Sequence, residues 1–231
     1  MINHHPTPEL LADYNSGAMR LSHGICIASH LEYCSHCRQQ VAKLNLVGSH
    51  YFEHAETQSK TNSEDNEALK SKVLAMLDES IDESASESTN PGNPGEMTDG
   101  SIPLSLRQFV GAQFDSLEWS NISPSLKLAT LCRDRDGAQI ALSCVKPGGR
   151  LPHHRHRGEE LTVVLEGSFS DESGVFHKGD FVARDASHKH MPVATKDAEC
   201  ICLIVLDEPI EFTGFFTRWL NPIVRRYHTY G

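Results

Sequence analysis

Over residues 1–81 the apolar positions recur at helical spacing. Thr7 can cap a first helix, with Pro8 at its first position and Gly17 as its stop, and Leu10, Leu11 and Tyr14 then share one face. A second helix is predicted from about Ser22, with Ile25, Ala28 and Leu31 inward. A third follows from about Cys34, where Val41, Leu44 and Val47 are spaced for a buried stripe. A fourth covers 67–81, with Leu69, Val73, Met76 and Leu77. Helices this short suit a small bundle, near the size at which a metal staple becomes useful.

Residues 82–101 are polar and rich in Ser, Pro and Gly, with Met97 the one large apolar side chain. Such a stretch cannot bury enough surface to fold alone and reads as a flexible linker. From Ile102 the periodicity changes to two, with turn punctuation at 134–137, 146–149, 171–174 and 178–180. Strand candidates are Leu126 with Leu128, Ile140 with Leu142, 161–165, 181–182 and 201–205. Many short strands joined by Gly-bearing turns predict an all-β barrel or sandwich. The expected organisation is therefore a helical module over 1–81, a linker over 82–101 and a β-domain over 102–231, an α + β two-domain chain.

Charge sharpens this division. The net charge is −10, and residues 1–90 hold 6 Lys/Arg against 13 Asp/Glu. An acidic helical module does not favour direct contact with nucleic acid, but it suits a basic protein surface. The first 30 residues lack a basic segment followed by an apolar run, and no window reaches the ~18 apolar residues that span a bilayer, so no membrane partner is expected and the chain reads as cytoplasmic. In a reducing compartment its seven cysteines are thiols or metal ligands.

Two sets of residues have metal-ligand spacing. The first is His30-x3-Cys34-x2-Cys37, with His4 and His5 upstream. These spacings share a helix face, but His30 to Cys37 spans ~10 Å of helix rise, too far for one tetrahedral zinc along a straight rod. A break near residues 32–33 is therefore expected, with His30 on one helix and both cysteines on the next. A closed structural site needs a fourth ligand, and His5 is preferred to His4. Cys26 reads as a buried small residue, and His23, His36, His50 and His54 as exposed polar positions on helices.

The second set is Gly148-x5-His154-x-His156-x3-Glu160-x6-Gly167, followed by Gly179 and His190. His154 and His156, two apart on a strand, point to one face. The stretch resembles the cupin superfamily, whose first motif is matched at Gly148, His154, His156, Glu160 and Gly167, and whose second is matched at Gly179 and His190, with Asp185, Ser187 and Ala194 in place of the usual Pro, Gly and Asn. The resemblance implies a cupin β-barrel in which His154, His156, Glu160 and His190 hold a divalent transition metal: zinc first, with iron, manganese and nickel also accepting this donor set. His188 is the runner-up ligand, and His153, His177 and His228 read as surface residues. Cys200 and Cys202 point the same way from one strand and read as small buried residues, with a vicinal redox pair as the alternative.

Together, and in this order, the two halves resemble the ChrR-type zinc-binding anti-sigma factors, including the Cys-Ile-Cys-Leu stretch at 200–203. That resemblance implies a zinc-stapled helical clamp on an extracytoplasmic-function sigma factor. It also implies a cupin domain that senses singlet oxygen or an organic hydroperoxide and triggers release, with no catalytic residues. The competing expectation is a cupin dioxygenase with an accessory helical module.

Overall fold

The computed structural model describes residues 2–55, 63–78, 102–111, 114, 117–214, 217–222 and 225–226. The chain divides into two compact units: Met1–Gly48 with Ser101–Gly231, and Ser49–Gly100. The stretch 82–101 lies outside the described residues, as do His228 and the 79–81 end of the fourth predicted helix.

The helices begin and end where local chemistry dictates. In α1 (Pro8–Ser16) the Thr7 hydroxyl accepts the Leu10 N–H at 3.3 Å, and Gly17 closes the C-terminus at φ 71°, a left-handed conformation that favours glycine. Helix α2 (Leu21–Tyr33) stops at Cys34, which is extended at φ −105°, ψ 100°, and α3 (Ser35–Glu53) starts one residue later. The break expected near residues 32–33 thus falls at Cys34 itself, so one thiol belongs to the junction and the other to α3. Helix α4 (Ser63–Asp78) lies in the second unit.

The α3 stripe differs from expectation. Val41 and Leu44 are half-buried, Val47 is 55% exposed, and Leu46, Tyr51 and Phe52 are exposed. On α4, Leu69, Val73 and Leu74 are exposed as well. Helical periodicity identified an apolar face, but nothing among the described residues buries its outer end.

The β-domain follows α5 (Leu104–Val110). Its largest sheet has six antiparallel strands: β1 (Ser120–Ser123), β2 (Leu126–Arg133), β3 (Gln139–Val145), β5 (Glu160–Glu166), β8 (Phe181–Arg184) and β11 (Cys200–Leu206), in the order β1-β2-β3-β11-β5-β8. A three-stranded sheet, ordered β10-β6-β7, joins β6 (Ser168–Asp171), β7 (Gly174–His177) and β10 (Val193–Ala194). A third, ordered β12-β4-β9, joins β4 (His154–Arg155), β9 (Lys189–His190) and β12 (Glu211–Phe212). The fold is cupin-like, but its shell is built from three sheets and no single ladder closes around it.

The central strands are apolar on both faces because both faces are covered. Leu161, Val163 and Leu165 of β5, with Leu203 and Val205 of β11, share a core with Ile25 and Ile27 of α2 and Leu106 of α5. The alternate residues Val164, Cys200 and Cys202 pack with Phe169, Phe176 and Val182 on the inner side. Register pairs Leu203 with both Leu142 and Val163, placing it at the centre of the sheet.

Polar contacts fasten the first 48 residues to this sheet. The extended segment 2–6 runs beside β8: Phe181 N–H donates to the His4 carbonyl at 3.0 Å, and the Asn3 and His4 N–H groups donate to Asp180 Oδ1 at 2.8 and 3.0 Å. Asp180 is fully buried, and its second oxygen accepts the His177 N–H at 2.8 Å. Asp134 accepts the Ser22 N–H at the start of α2, and Glu32 caps α5 through the Leu104 and Ser105 N–H groups. Arg20 meets both oxygens of Asp207 at 2.9 and 2.8 Å. His23, expected on the surface, is instead buried against this pair and Glu159.

Replacing Leu203 with Ala leaves a cavity in the doubly covered sheet and is expected to cost about 2–5 kcal/mol. Phe52→Ala, at a site 86% exposed, should stay within ~0.5 kcal/mol. Chemical denaturation of both variants checks the contrast; equal losses would mean that the core lies elsewhere.

Candidate metal centres

The junction between α2 and α3 gathers His5, His30, Cys34 and Cys37, with one donor atom from each lying within 4.8 Å of the others. His5 Nδ1 is 3.4 Å from the Sγ of both Cys34 and Cys37, and His30 Nε2 is 3.3 Å from Cys37 Sγ. The nitrogen-to-sulfur edge of a tetrahedral zinc site is about 3.5 Å for bonds of about 2.0 and 2.3 Å, so the four donors are spaced for one ion. His4 does not join them; its ring lies 4.4 Å from that of Phe176.

The tautomer of His30 strengthens this fit. Its Nδ1–H donates to the Gly179 carbonyl at 2.7 Å, which leaves Nε2 as a lone pair aimed at sulfur. Burial and the neighbouring Cys34 push the Cys37 thiol up to about 12, so without a cation the sulfur keeps its proton. A metal held here would take Cys37 as a thiolate, its proton being released to solvent.

Within the β-domain, β4 and the turn after it bring in His154 and His156, while β9 brings in His190 opposite His154. All three are buried. His190 Nε2 lies 2.9 Å from His154 Nε2 and 3.1 Å from His156 Nε2. Two of these rings have assigned partners at Nδ1: His154 donates to the Pro152 carbonyl at 2.9 Å, and His190 to Asp171 Oδ2 at 2.9 Å. Their Nε2 atoms are therefore both lone pairs, facing one another at a separation that repels unless a cation lies between them. Adjacent donors of an octahedral ion with bonds of about 2.1 Å stand about 3.0 Å apart, which matches these spacings.

Glu160 stands just outside this trio. Its Oε2 is 3.1 Å from His156 Nδ1, which has no hydrogen-bond partner, and its Oε1 accepts the Thr162 hydroxyl at 2.9 Å. Burial works to raise its pKa, but His156, His154 and His190 outweigh that and hold it at about 2, so the carboxylate is charged at neutral pH. The charged carboxylate thus stands beside the three-histidine group, next to His156. His188 is not part of the group; it pairs with Asp185 at 2.8 Å.

A cavity of about 100 Å³ opens beside His154, His190 and Glu160. Its lining is mostly apolar, including Leu126, Phe169 and Val182, together with Cys200 and Cys202. The two sulfurs are 3.7 Å apart. The Cys200 contact and burial raise the Cys202 thiol well above its usual value, so this sulfur is protonated and a poor nucleophile at neutral pH.

Sequence reasoning missed three features. His23, Glu159 and Asp207 also converge, but the Arg20 guanidinium occupies both Asp207 oxygens and makes this an ionic lock rather than a metal site. Asp171 orients His190, and Gly179 orients His30. Asp171 lies in a stretch that read only as a turn, and Gly179 read as a turn and motif glycine, with no signal that either would hold a histidine.

The pKa of His30 is pushed down to about 4 by burial, and that of His154 to about 4 by burial and the nearby His190. Both rings bind protons more readily when unfolded. Metal-free protein should therefore hold a steady melting temperature from pH 8 to about 7, then lose stability as pH falls from about 6.5 toward about 4. Thermal unfolding in chelator across this range checks it; a melting temperature unchanged down to pH 4 would contradict the buried neutral imidazoles.

Residues 107–208 match the family model described as ChrR Cupin-like domain, a span that includes all of the β-domain histidines above. The Anti-sigma-E factor ChrR of Cereibacter sphaeroides is 33% identical over 225 residues, covering 97% of this chain and 99% of that protein. The crystal structure of Rhodobacter sphaeroides SigE in complex with the anti-sigma ChrR contains a chain that superposes with a TM-score of 0.73 at 28% identity, covering 89% of this chain and 99% of that one. With similarity that runs from the thiol-bearing helices through the histidine-lined β-domain, this chain belongs to the ChrR family.

Proposed function

We propose that this protein is an anti-sigma factor that holds an extracytoplasmic-function sigma factor in the cytoplasm and releases it when its cupin domain meets singlet oxygen or an organic hydroperoxide. The observation that carries this reading is the apolar surface left open on α3, where Leu46 and Tyr51 are each 72% exposed and Phe52 is 86% exposed. Tyr51 stands one turn beyond Val47, on the helix face that also carries Leu44, so large apolar side chains continue along that face in the manner of a protein-binding surface. They lie in the acidic part of the chain, which complements a basic partner. The solved relative of 28% identity is a complex with SigE.

On this reading residues 1–81 are the clamp, 82–101 a linker and 102–231 the sensor. Zinc on His5, His30, Cys34 and Cys37 fixes the angle between α2 and α3, and so presents the α3 surface. His154, His156 and His190, with Glu160 as the fourth donor, hold a divalent transition metal that supplies reactivity toward an oxidant reaching the adjoining cavity. The chain's own part is to exclude bulk water with the apolar lining, to keep two Nε2 lone pairs directed inward, and to keep Glu160 charged. A donor set of this kind serves sensors and catalysts alike; membership in the ChrR family supports the sensor reading. No helix among the described residues is long and apolar enough to cross a membrane. A near-complete switch from bound to free requires a differential of about 5.5 kcal/mol, and the sensing event must supply it.

Co-expression with the sigma factor of the neighbouring locus tests the reading. A 1:1 complex is expected, and failure to co-purify would contradict it. Phe52→Asp should weaken the complex at least tenfold while leaving the melting temperature unchanged. Cys34→Ala should abolish the complex, whereas His154→Ala should keep the complex and lose only its response to oxidant.

A further inference from the structure

Between the two metal centres runs a continuous line of contacts. It starts at His190, whose Nδ1–H donates to Asp171 Oδ2 at 2.9 Å. The same oxygen accepts Arg184 Nη2–H at 3.1 Å, so the imidazole and the guanidinium share one acceptor. The Arg184 guanidinium lies over the Phe176 ring, 5.7 Å from its centroid; Phe176 also meets the His4 ring, with centroids 4.4 Å apart, and stacks on Phe169. His4 immediately precedes His5, which faces Cys34 and Cys37. The Asp171 side chain is fully buried and Phe176 is 2% exposed, so water is kept from the middle of this line, while Arg184 and His4 are half-buried and His5 is exposed.

The turn between β7 and β8 ties the far end down twice. Asp180 accepts the Asn3 and His4 N–H groups, and the Gly179 carbonyl accepts the Nδ1–H of His30. Gly179 has φ 89°, and a Cβ there would come within 2.8 Å of Ile2 Cδ1 and 2.9 Å of Tyr33 Cβ. The turn is therefore packed directly against the segment that carries His5 and the helix that carries His30. Two of the four donors at the thiol site are positioned by the β-domain.

We propose that Asp171, Arg184, Phe176 and the turn at 178–180 couple the two centres, so that the state of His190 sets how firmly His5 and His30 hold the metal at Cys34 and Cys37. Asp171 is the pivot. A metal bound at His190 Nε2 would make its Nδ1–H a stronger donor and would draw Asp171 toward it. Losing that bond frees Asp171 for Arg184, which shifts the guanidinium on Phe176 and, through Phe176, the His4–His5 strap. Arg184 and Asp171 are thus positioning residues that touch neither metal. The inference deepens the sensor-and-clamp reading and rests on it for its purpose, since it supplies the path from sensor to clamp.

The test uses full-length protein, with no sigma factor present, and cobalt(II) as the probe. Sulfur-to-cobalt charge-transfer absorption that disappears on Cys34→Ser reports the Cys34/Cys37 site, which separates it from any signal of Cys200 and Cys202 beside the β-domain histidines. Competition against a chelator gives the affinity there for wild type, His190→Ala, Arg184→Met and the double variant. Coupling predicts that each single variant weakens cobalt retention by about 5- to 50-fold, inside the usual range for linked sites, and that the double variant is no weaker than the poorer single one. An unchanged affinity in His190→Ala, or losses that multiply in the double variant, would overturn it. If Arg184→Met does not fold, Arg184→Lys takes its place: it keeps a charge on Asp171 but removes the planar contact with Phe176, and its loss must again be non-additive with that of His190→Ala. Co-purification of the sigma factor is read separately, so a failed coupling and a failed anti-sigma reading give different results.

Discussion

Lone pairs held face to face by hydrogen bonds on their far sides are the constraint on which both centres depend. In each, a carbonyl or carboxylate takes the Nδ1–H of a buried histidine and so commits Nε2 to pointing inward without a proton. Pro152 and Asp171 do this for His154 and His190; Gly179 does it for His30. Nitrogen atoms 2.9 Å apart with no proton between them, and a nitrogen aimed at a sulfur 3.3 Å away, are unfavourable arrangements in an interior of low dielectric. A cation converts each from a penalty to a binding site.

The fold supplies these far-side acceptors from distant parts of the chain, and this makes the arrangement cooperative. Gly179 is 149 residues from His30, and Asp180 is 177 residues from Asn3. Forming the thiol site therefore draws on β7 and β8 as well as on α2 and α3. The Arg20–Asp207 pair and the Asp134 contact to α2 pull in the same direction. The exposed apolar outer end of α3 is the exception. It takes no part in this packing, which leaves it available to a partner.

What could be read from the sequence was local. Thr7, Pro8 and Gly17 bracket the first helix because capping acts within a single turn. The His30–Cys34–Cys37 spacing demanded a broken helix on distance alone, and the chain breaks at Cys34. His154, His156 and His190 come together as the cupin motif implied, and the long strands β3, β5 and β11 announced themselves as apolar runs. The two-residue strands β4, β9, β10 and β12 are too short to carry a period, and the β1-β2-β3-β11-β5-β8 order depends on pairings far apart in sequence. His23 looked like a surface residue because its partners, Glu159 and Asp207, lie more than a hundred positions away. The α3 stripe misled for a different reason: helical periodicity marks an apolar face without saying whether this chain or another one covers it.

Metal analysis of purified full-length protein tests the central claim most directly. Near-saturated wild type should carry two metal equivalents per chain, with Cys37→Ala and His154→Ala each removing a different one while circular dichroism stays native-like. Well-folded wild type that takes up fewer than two equivalents, or loses the same one in both variants, would contradict the account.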